Sequence, residues 1–179
     1  MQKDTQYDFS SFVTVSREQK SFGEMLQDIR SYVDEAPAYN YRVIVGTDSE
    51  GYGEVVYATA VVVHRVGNGA RAYICKNRIY TPHRVLRDKI YNESMLSLAL
   101  AQKLVPFLAD MLGKEFVQSN FAIHSDIGNS GDTREMIKEV IGMVTGYGFQ
   151  VEIKPESYAA SSVADRFVVP PKKTISLAV

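Results

Sequence analysis

Apolar runs alternate with turn residues along the first half of the chain, and each run has the length of a strand. The first run, Tyr41 to Glu50, is unbroken in its middle and meets its first acid at Asp48. A short apolar run bounded by turn residues is typical of a strand covered on both faces. Two β-branched runs follow at 54–65 and 71–80, with the hairpin signal Asn68-Gly69 between them. The pattern therefore predicts an antiparallel meander of three strands, whose first member is central.

Helical periodicity is the main signal in the rest of the chain. Ser21 and Glu24 have the spacing of a capping box, in front of a short amphipathic helix predicted over residues 21–36. A longer helix follows the third strand. Two further strands, predicted at 116–125 and 149–154, each precede another helix.

This order of elements restricts how the strands neighbour one another. A strand-helix-strand crossover is almost always right-handed, which lets the fourth strand lie parallel to the first, on the side away from the meander. The predicted fold class is α/β: a five-stranded mixed sheet in which the fourth and fifth strands are parallel to the first and helices cover both faces. We expect one domain over residues 1–179, with an N-terminal arm at 1–15 and a tail at 168–179.

Composition limits the classes of function. Apolar residues make up 45% and charged residues 23%, which are ordinary globular values, and the net charge of -1 implies no overall attraction to polyanions. The single Cys75 excludes an intramolecular disulfide. Neither a signal peptide nor an apolar run of the ~18 residues needed to cross a bilayer is visible, so we expect a soluble cytoplasmic protein without a membrane partner.

Four acids are expected to converge where the winding reverses between the first and fourth strands, because open α/β sheets place their sites at the carboxyl ends of strands there. Asp48 and Asp126 follow these two strands. Glu93 lies seven residues before Leu100, within the apolar stripe of the long helix, and Asp165 stands among small and apolar neighbours in the last helix. Clustered carboxylates commonly bind a hard divalent cation, so the pattern predicts a Mg²⁺ or Mn²⁺ site.

Each of these residues also has an ordinary structural explanation. Asp48 can end a strand, Asp126 can form an Asx turn, and Asp165 can pair with solvent. Glu93 can be neutralised by an arginine a turn or two earlier on its helix. His124 precedes Asp126 by two residues and faces the same side of its strand, so it is a candidate for moving a proton beside the metal. A histidine satisfied within the sheet explains it at least as well.

Five segments between residues 42 and 167 resemble the ribonuclease H-like superfamily of nucleases, resolvases and integrases, and within it the YkuK-type bacterial family. The segments are VIVGTDSEG, VVVHRVGNGAR, IYNESMLSLAL, HSDIGNSGDTREMIKEVIGMV and SSVADR. The resemblance implies the same order of elements, and an acid at each of the positions matched by Asp48, Glu93, Asp126 and Asp165. It also implies nuclease activity, by analogy of fold.

The chain departs from classical ribonuclease H in two features. The first strand carries Asp-Ser-Glu where ribonuclease H commonly has Asp-Gly-Ser, and the chain has no tryptophan for the basic protrusion that grips an RNA/DNA hybrid. Specificity for a hybrid is therefore not expected.

Basic residues are concentrated between residues 65 and 89, where the only acid is Asp88. A local positive patch beside an acidic site favours binding of a nucleic-acid backbone, although a solvated strand and helix face is a common alternative. The predicted contacts are Arg71, Lys76, Arg78, Arg84 and Arg87.

Together these features predict a metal-dependent nuclease that hydrolyses the phosphodiester bonds of RNA or DNA. Asp48, Glu93 and Asp126 are the expected core ligands, and Asp165 is the fourth. The alternative is a ribonuclease H-like module that binds nucleic acid, or serves as a scaffold, without turnover.

Overall fold

The computed structural model describes residues 7–51, 53–81, 86–128 and 134–168. Its strands and helices are, in chain order, β1 (Ser11–Thr14), β2 (Gln19–Ser21), α1 (Phe22–Asp34), β3 (Tyr41–Glu50), β4 (Gly53–Arg65), β5 (Ala70–Thr81), α2 (Leu86–Leu112), α3 (Lys114–Asn120), β6 (Phe121–His124), α4 (Ile137–Gly146), β7 (Val151–Glu152) and α5 (Tyr158–Val168).

The predicted capping box begins α1. The Ser21 side chain accepts a hydrogen bond from the Glu24 backbone N–H, and the Glu24 carboxylate accepts one from the Ser21 backbone N–H at 2.7 Å. Two of the N–H groups at the helix start are satisfied in this way. The helix then buries Met25, Ile29 and Tyr32 on one face.

The sheet is mixed, as predicted, but it has seven strands and not five. Their order is β2-β1-β5-β4-β3-β6-β7. The central meander β3-β4-β5 is antiparallel, and β6 and β7 follow on the other side in parallel pairing. The two additional strands form a hairpin within and just after the segment expected to be an arm.

The hairpin was missed because its strands are too short to carry a pattern of their own. β1 has four residues and β2 three. β1 joins the sheet through long-range pairing, with Val13 opposite Ile74 on β5. A contact of that kind depends on the exposed edge of β5 and not on local propensity.

The predicted fourth strand is also shorter than expected. Its first residues lie in the helix α3, which buries Val117, and only Phe121–His124 pair with β3. A short apolar segment fits a helix or a strand equally well by periodicity. Gly113, with a φ of 94°, lies between α2 and α3, and few other residues adopt that backbone conformation readily.

The two faces of β3 bury different cores. Val43 and Val45 pack in the core that includes residues of α1 and α2, whereas Ile44 packs with Ala164 and Phe167 of α5. Side chains alternate along a strand. Asp48 therefore lies on the α5 face, while its neighbour Ser49 lies on the α2 face.

By length and composition alone α2 is apolar enough to cross a membrane, which the sequence analysis did not expect. In this structure Leu96, Leu100, Leu104 and Leu108 of α2 are fully buried within the main core. The face of α2 that carries these leucines packs against the sheet and the other helices.

Candidate functional site

The two central parallel strands carry Asp48 and Asp126 to the same edge of the sheet. Gly46 on β3 is paired with His124 on β6. Each acid lies two residues beyond its member of that pair, so the register places the two acids at the same level along the strand direction. This is the arrangement that the order of elements predicts.

Glu93 reaches this edge from the other face of the sheet. The Ser49 hydroxyl donates a hydrogen bond to Glu93 Oε1 at 2.5 Å. The pKa of the Glu93 carboxyl is raised to about 8, mainly by burial and also by the charges of Asp48 and Asp126, while Ser49 and Lys89 act in the opposite direction. The carboxyl group therefore holds a proton near neutral pH unless a cation compensates it.

Hydroxyl groups fix α2 against the end of β3. The Oγ atoms of Thr47 and Ser97 are 2.8 Å apart, one helical turn from the contact between Ser49 and Glu93. The two contacts are four residues apart on α2, a rise of about 6 Å, and two residues apart on β3, a rise of about 6.8 Å. Because these distances are nearly equal, both contacts form at once. The position of Glu93 is thus fixed by two successive contacts between α2 and β3 and not by one hydrogen bond alone.

Asp48 is half-buried and senses two further acids. Burial raises the pKa of Asp48, and the charges of Asp165 and Asp126 raise it again. The Ser49 backbone N–H, which donates to Asp48 Oδ1 at 2.9 Å, opposes that rise. Asp165, an exposed residue of α5, thus belongs to the same group of interacting charges.

Two lysines provide positive charge at this edge. Lys154 Nζ lies 2.9 Å from Asp126 Oδ1, and Lys89 Nζ donates to the Ser49 carbonyl oxygen at 3.3 Å. Among the residues that the structure describes, no three His, Cys, Asp or Glu side chains are close enough together to hold one metal ion.

The chemistry of the donor set nevertheless fits a hard divalent cation. The four predicted ligands are all carboxylates, and oxygen donors of this kind suit Mg²⁺ and Mn²⁺. Like charges at short range also gain most from a cation between them. The carboxylates would have to move closer together around the ion.

His124 has a partner within the sheet. Its Nε2 lies 2.8 Å from Glu152 Oε2, and Glu152 also forms an ion pair with Arg42. Burial lowers the pKa of His124, although Glu152 opposes this effect. The residue lines one small cleft with Glu93, but its closest polar contact is to β7. Among the described residues neither ring nitrogen makes a well-aligned hydrogen bond, so the role of His124 in moving a proton stays a prediction.

The predicted basic contacts fall into two groups. Arg71 lies toward the opposite end of the sheet, where its Nη1 is 2.6 Å from Asp28 Oδ1 and its guanidinium lies 4.5 Å from the centre of the Tyr32 ring. Lys76 is aligned with Asp48 through Ala58, so these two residues share a face and a level in the sheet. The structure therefore brings Lys76, and not Arg71, toward the acidic edge.

The remaining basic contacts are exposed or undescribed. Arg78 lies two residues beyond Lys76 and is 3.3 Å from Glu54, with both side chains mostly exposed. Arg87 of α2 pairs with Glu139 at 2.6 Å. Arg84 lies outside the described residues.

Comparison with known proteins identifies the family. The family described as "Ribonuclease H-like" matches residues 24–168. The chain belongs to the ribonuclease H-like family. A relative from Bacillus subtilis (strain 168), described as "Uncharacterized protein YkuK", is 31% identical over 169 residues, which cover 87% of this chain and 95% of the relative. No solved structure gives a significant match.

Membership of the ribonuclease H-like family indicates a function related to nucleic acid, and the superfamily often uses divalent metals. The matched span includes Asp48, Glu93, Asp126 and Asp165, and so the whole candidate site. It leaves out the hairpin of β1 and β2 at the edge of the sheet.

The sequence analysis missed three residues around the ribonuclease H-like site. Ser49 was given no role, yet strand alternation turns its side chain toward Glu93. Lys154 is distant from Asp126 in sequence and meets it only through the pairing of β6 with β7. Arg17 lies in the unpredicted hairpin. Only Ser49 had a local signal, namely its place one residue after the acid at a strand end.

Proposed function

We propose that this ribonuclease H-like chain is a metal-dependent nuclease that hydrolyses phosphodiester bonds of RNA or DNA. Mg²⁺ or Mn²⁺ would be held by carboxylates of four elements, namely Asp48, Glu93, Asp126 and Asp165. The observation that carries the proposal is the arrangement of these acids at the carboxyl edge of β3 and β6, where the charges of Asp126 and Asp165 act on Asp48, and those of Asp48 and Asp126 on Glu93.

A bound divalent cation supplies positive charge to the oxygens of the phosphodiester and favours ionisation of water. The chain's own residues prepare the edge for that ion. Ser49 orients the Glu93 carboxyl group, and the backbone N–H of Ser49 orients Asp48. Lys76 and Arg78, on the same sheet face as Asp48, are suited to contact the backbone of the nucleic acid.

A second candidate function is a module that binds nucleic acid without turnover. It is favoured by the separation of the acids, since no three of the described His, Cys, Asp or Glu side chains are close enough to hold one ion. It is also favoured by Lys154, whose ammonium group lies 2.9 Å from Asp126 Oδ1 and would compete with a metal ion for that carboxylate.

Cleavage of end-labelled RNA, DNA and hybrid substrates tests the proposal. Wild type should release product only in Mg²⁺ or Mn²⁺, and D48N and E93Q should fall to the level of buffer. D110N is the matched control, because Asp110 is an exposed acid of α2 and the change is equally conservative. Product that persists in both D48N and E93Q would come from another nuclease and would reject the proposal.

Calorimetric titration with Mn²⁺ separates the two candidate functions. The nuclease requires wild type and D110N to bind the ion and requires D48N to bind it more weakly. If wild type binds oligonucleotide in EDTA but takes up no Mn²⁺, the binding module is the correct function.

A further inference from the structure

A cationic groove lies on the α5 face of the sheet, beside the end of that helix. Its cavity measures about 340 Å³, and the residues that line it include Arg17, Lys76, Phe167 and Asp8. The groove is formed where the β1–β2 hairpin joins β5. It therefore depends on the part of the fold that lies outside the family match.

The groove is on the same face of the sheet as Asp48 and at the same level. Asp48 pairs with Ala58, and Ala58 pairs with Lys76, so the three side chains point to one face. Two strand spacings separate Asp48 from Lys76, which is about 10 Å. Ala58 itself is buried beneath α5, so the accessible route follows the end of that helix, where Asp165 acts on Asp48 and Phe167 lines the groove.

The hairpin holds Arg17 in a backbone conformation that few residues adopt. Its φ is 70°, and its N–H donates to the Thr14 carbonyl oxygen at 3.0 Å. A left-handed residue at this position is a regular feature of a three-residue hairpin loop, and it costs a non-glycine residue about 1 kcal/mol. The conformation brings the guanidinium to 4.9 Å from the centre of the Phe167 ring, at the wall of the groove.

Positive charge predominates in the groove. Lys76 is exposed, and the charges that act on it are those of Arg17 and Arg78, which lower its pKa further after the effect of burial. The acid on the wall is Asp8, whose Oδ1 accepts a hydrogen bond from the Ser10 backbone N–H at 2.9 Å. Arg78 has Glu54 as a partner at 3.3 Å. Arg17 and Lys76 thus form a pair of cations suited to bind an anion.

We infer that this groove binds the phosphodiester backbone of the nucleic-acid strand that is cut at Asp48, with Arg17 and Lys76 each contacting one phosphate. The inference rests on the proposed function. Lys76 lies about 10 Å from Asp48, so the phosphate that it contacts lies within a few nucleotides of the scissile bond. The aromatic ring of Phe167 keeps Arg17 extended toward the strand.

Fluorescence anisotropy tests the groove without any cleavage. The probe is a fluorescein-labelled single strand of about 12 nucleotides, as DNA and as RNA, in EDTA and over a salt series of about 50 to 200 mM. R17Q/K76Q should bind about tenfold more weakly at the low-salt end. The slope of log affinity against log salt should become shallower by about 1.4, since each single-strand phosphate contact contributes about 0.7.

Matched variants exclude general charge and folding effects. K114Q/K138Q removes the same charge from exposed positions on α3 and α4 and should bind as wild type does. R17G relieves the backbone strain while removing the cation, so it should melt at or above the wild-type temperature and still bind more weakly. R17K should recover most of the affinity.

The groove inference is overturned if R17Q/K76Q binds as wild type does, if the control loses as much affinity, or if wild type fails to bind either strand. The proposed function fails separately. If R17Q/K76Q binds as wild type does and cleavage depends on Asp48, the groove inference is rejected and the proposed nuclease function is supported. If R17Q/K76Q binds more weakly and D48N cleaves fully, the proposed nuclease function is rejected and the groove remains a binding site for the nucleic-acid backbone.

Discussion

The two ends of the central strand β3 differ in how their charged side chains are paired. At the amino end, Arg65 donates to the Tyr41 hydroxyl at 2.9 Å and to the Tyr32 carbonyl oxygen at 2.7 Å, and its guanidinium lies 4.1 Å from the centre of the Tyr32 ring. Arg71, on β5 beside it, pairs with Asp28 at 2.6 Å and with Glu35 at 3.6 Å. Every cation named here has an acid, a carbonyl or an aromatic face as a partner.

At the carboxyl end the neighbouring charges have the same sign. The Glu93 pKa is raised to about 8 by burial and then by the charges of Asp48 and Asp126. Asp126 has Lys154 at 2.9 Å, whereas Asp48 is subject to the charges of two acids, which the Ser49 backbone N–H and Lys89 oppose. The amino end is therefore built for stability, whereas the carboxyl end carries electrostatic repulsion that a bound cation would relieve.

The largest expected effect is the loss of Arg65 at the amino end. R65A should lower the free energy of unfolding by about 3 kcal/mol, because it removes hydrogen bonds to a largely buried cation and its packing on Tyr32. For a chain of this size the melting temperature should fall by about 9 °C. R30A is the control, since Arg30 forms an exposed pair with Asp34 that contributes less than about 0.5 kcal/mol. Equal losses in the two variants would contradict the role of Arg65.

The next effect is the response of the carboxyl end to metal. Mn²⁺ at about 100 times its dissociation constant should stabilise wild type by about 2.7 kcal/mol in a thermal melt, and chelation by EDTA should remove the gain. R65A should gain as much as wild type does, because the two ends are independent. D48N should gain much less. A gain in D48N equal to that of wild type would place the ion elsewhere.

The pH dependence of stability tests the protonation of Glu93 at the carboxyl end. Its folded pKa of about 8 exceeds the ordinary value of 4.5, so the folded state binds more protons between these two pH values. The free energy of unfolding must then fall as pH rises from about 4.5 to about 8. Glutamine cannot ionise, yet its amide oxygen still accepts the Ser49 hydrogen bond. In EDTA, the stability advantage of E93Q over wild type should be greatest at pH 8 and should vanish toward pH 4.5. A difference that is constant over this pH range would contradict the prediction.

The smallest expected effect on stability comes from Arg87. Its pair with Glu139 is mostly exposed, so R87A should change the free energy of unfolding by less than about 0.5 kcal/mol. If Arg87 contacts the nucleic-acid backbone, R87A should also weaken oligonucleotide binding by about threefold at low salt. E139Q removes the ion pair but keeps the cation, so it should bind at least as well as wild type. Weaker binding by E139Q would show that the pair itself supports the surface.

Long patterned segments made much of the fold predictable. The β-branched runs and Asn68-Gly69 predict β4 and β5, and the apolar run before Asp48 predicts the central strand. The position of Glu93 within an apolar helical stripe predicts its place against the sheet. These predictions succeed because the spacing of buried residues can be recognised within a single strand or helix.

Short segments and long-range pairs could not be predicted in the same way. The strands β1 and β2 offer three or four residues each, and the start of the predicted fourth strand fits a helix equally well. Arg71 and Lys76 are five residues apart on one strand, yet strand alternation and the length of β5 put them on opposite faces and toward opposite ends. Sequence proximity thus grouped two cations that the sheet separates.

The sequence by itself determined the meander, the family resemblance, and the acids that follow the strands, because each is encoded by spacing within one segment. Only the tertiary structure decided that Ser49 meets Glu93, that Lys154 meets Asp126, and that a strained hairpin brings Arg17 to the groove beside Lys76. Those contacts depend on strand register and on the edge of the sheet to which a strand is added. Both are set by packing between distant segments, which local propensity does not encode.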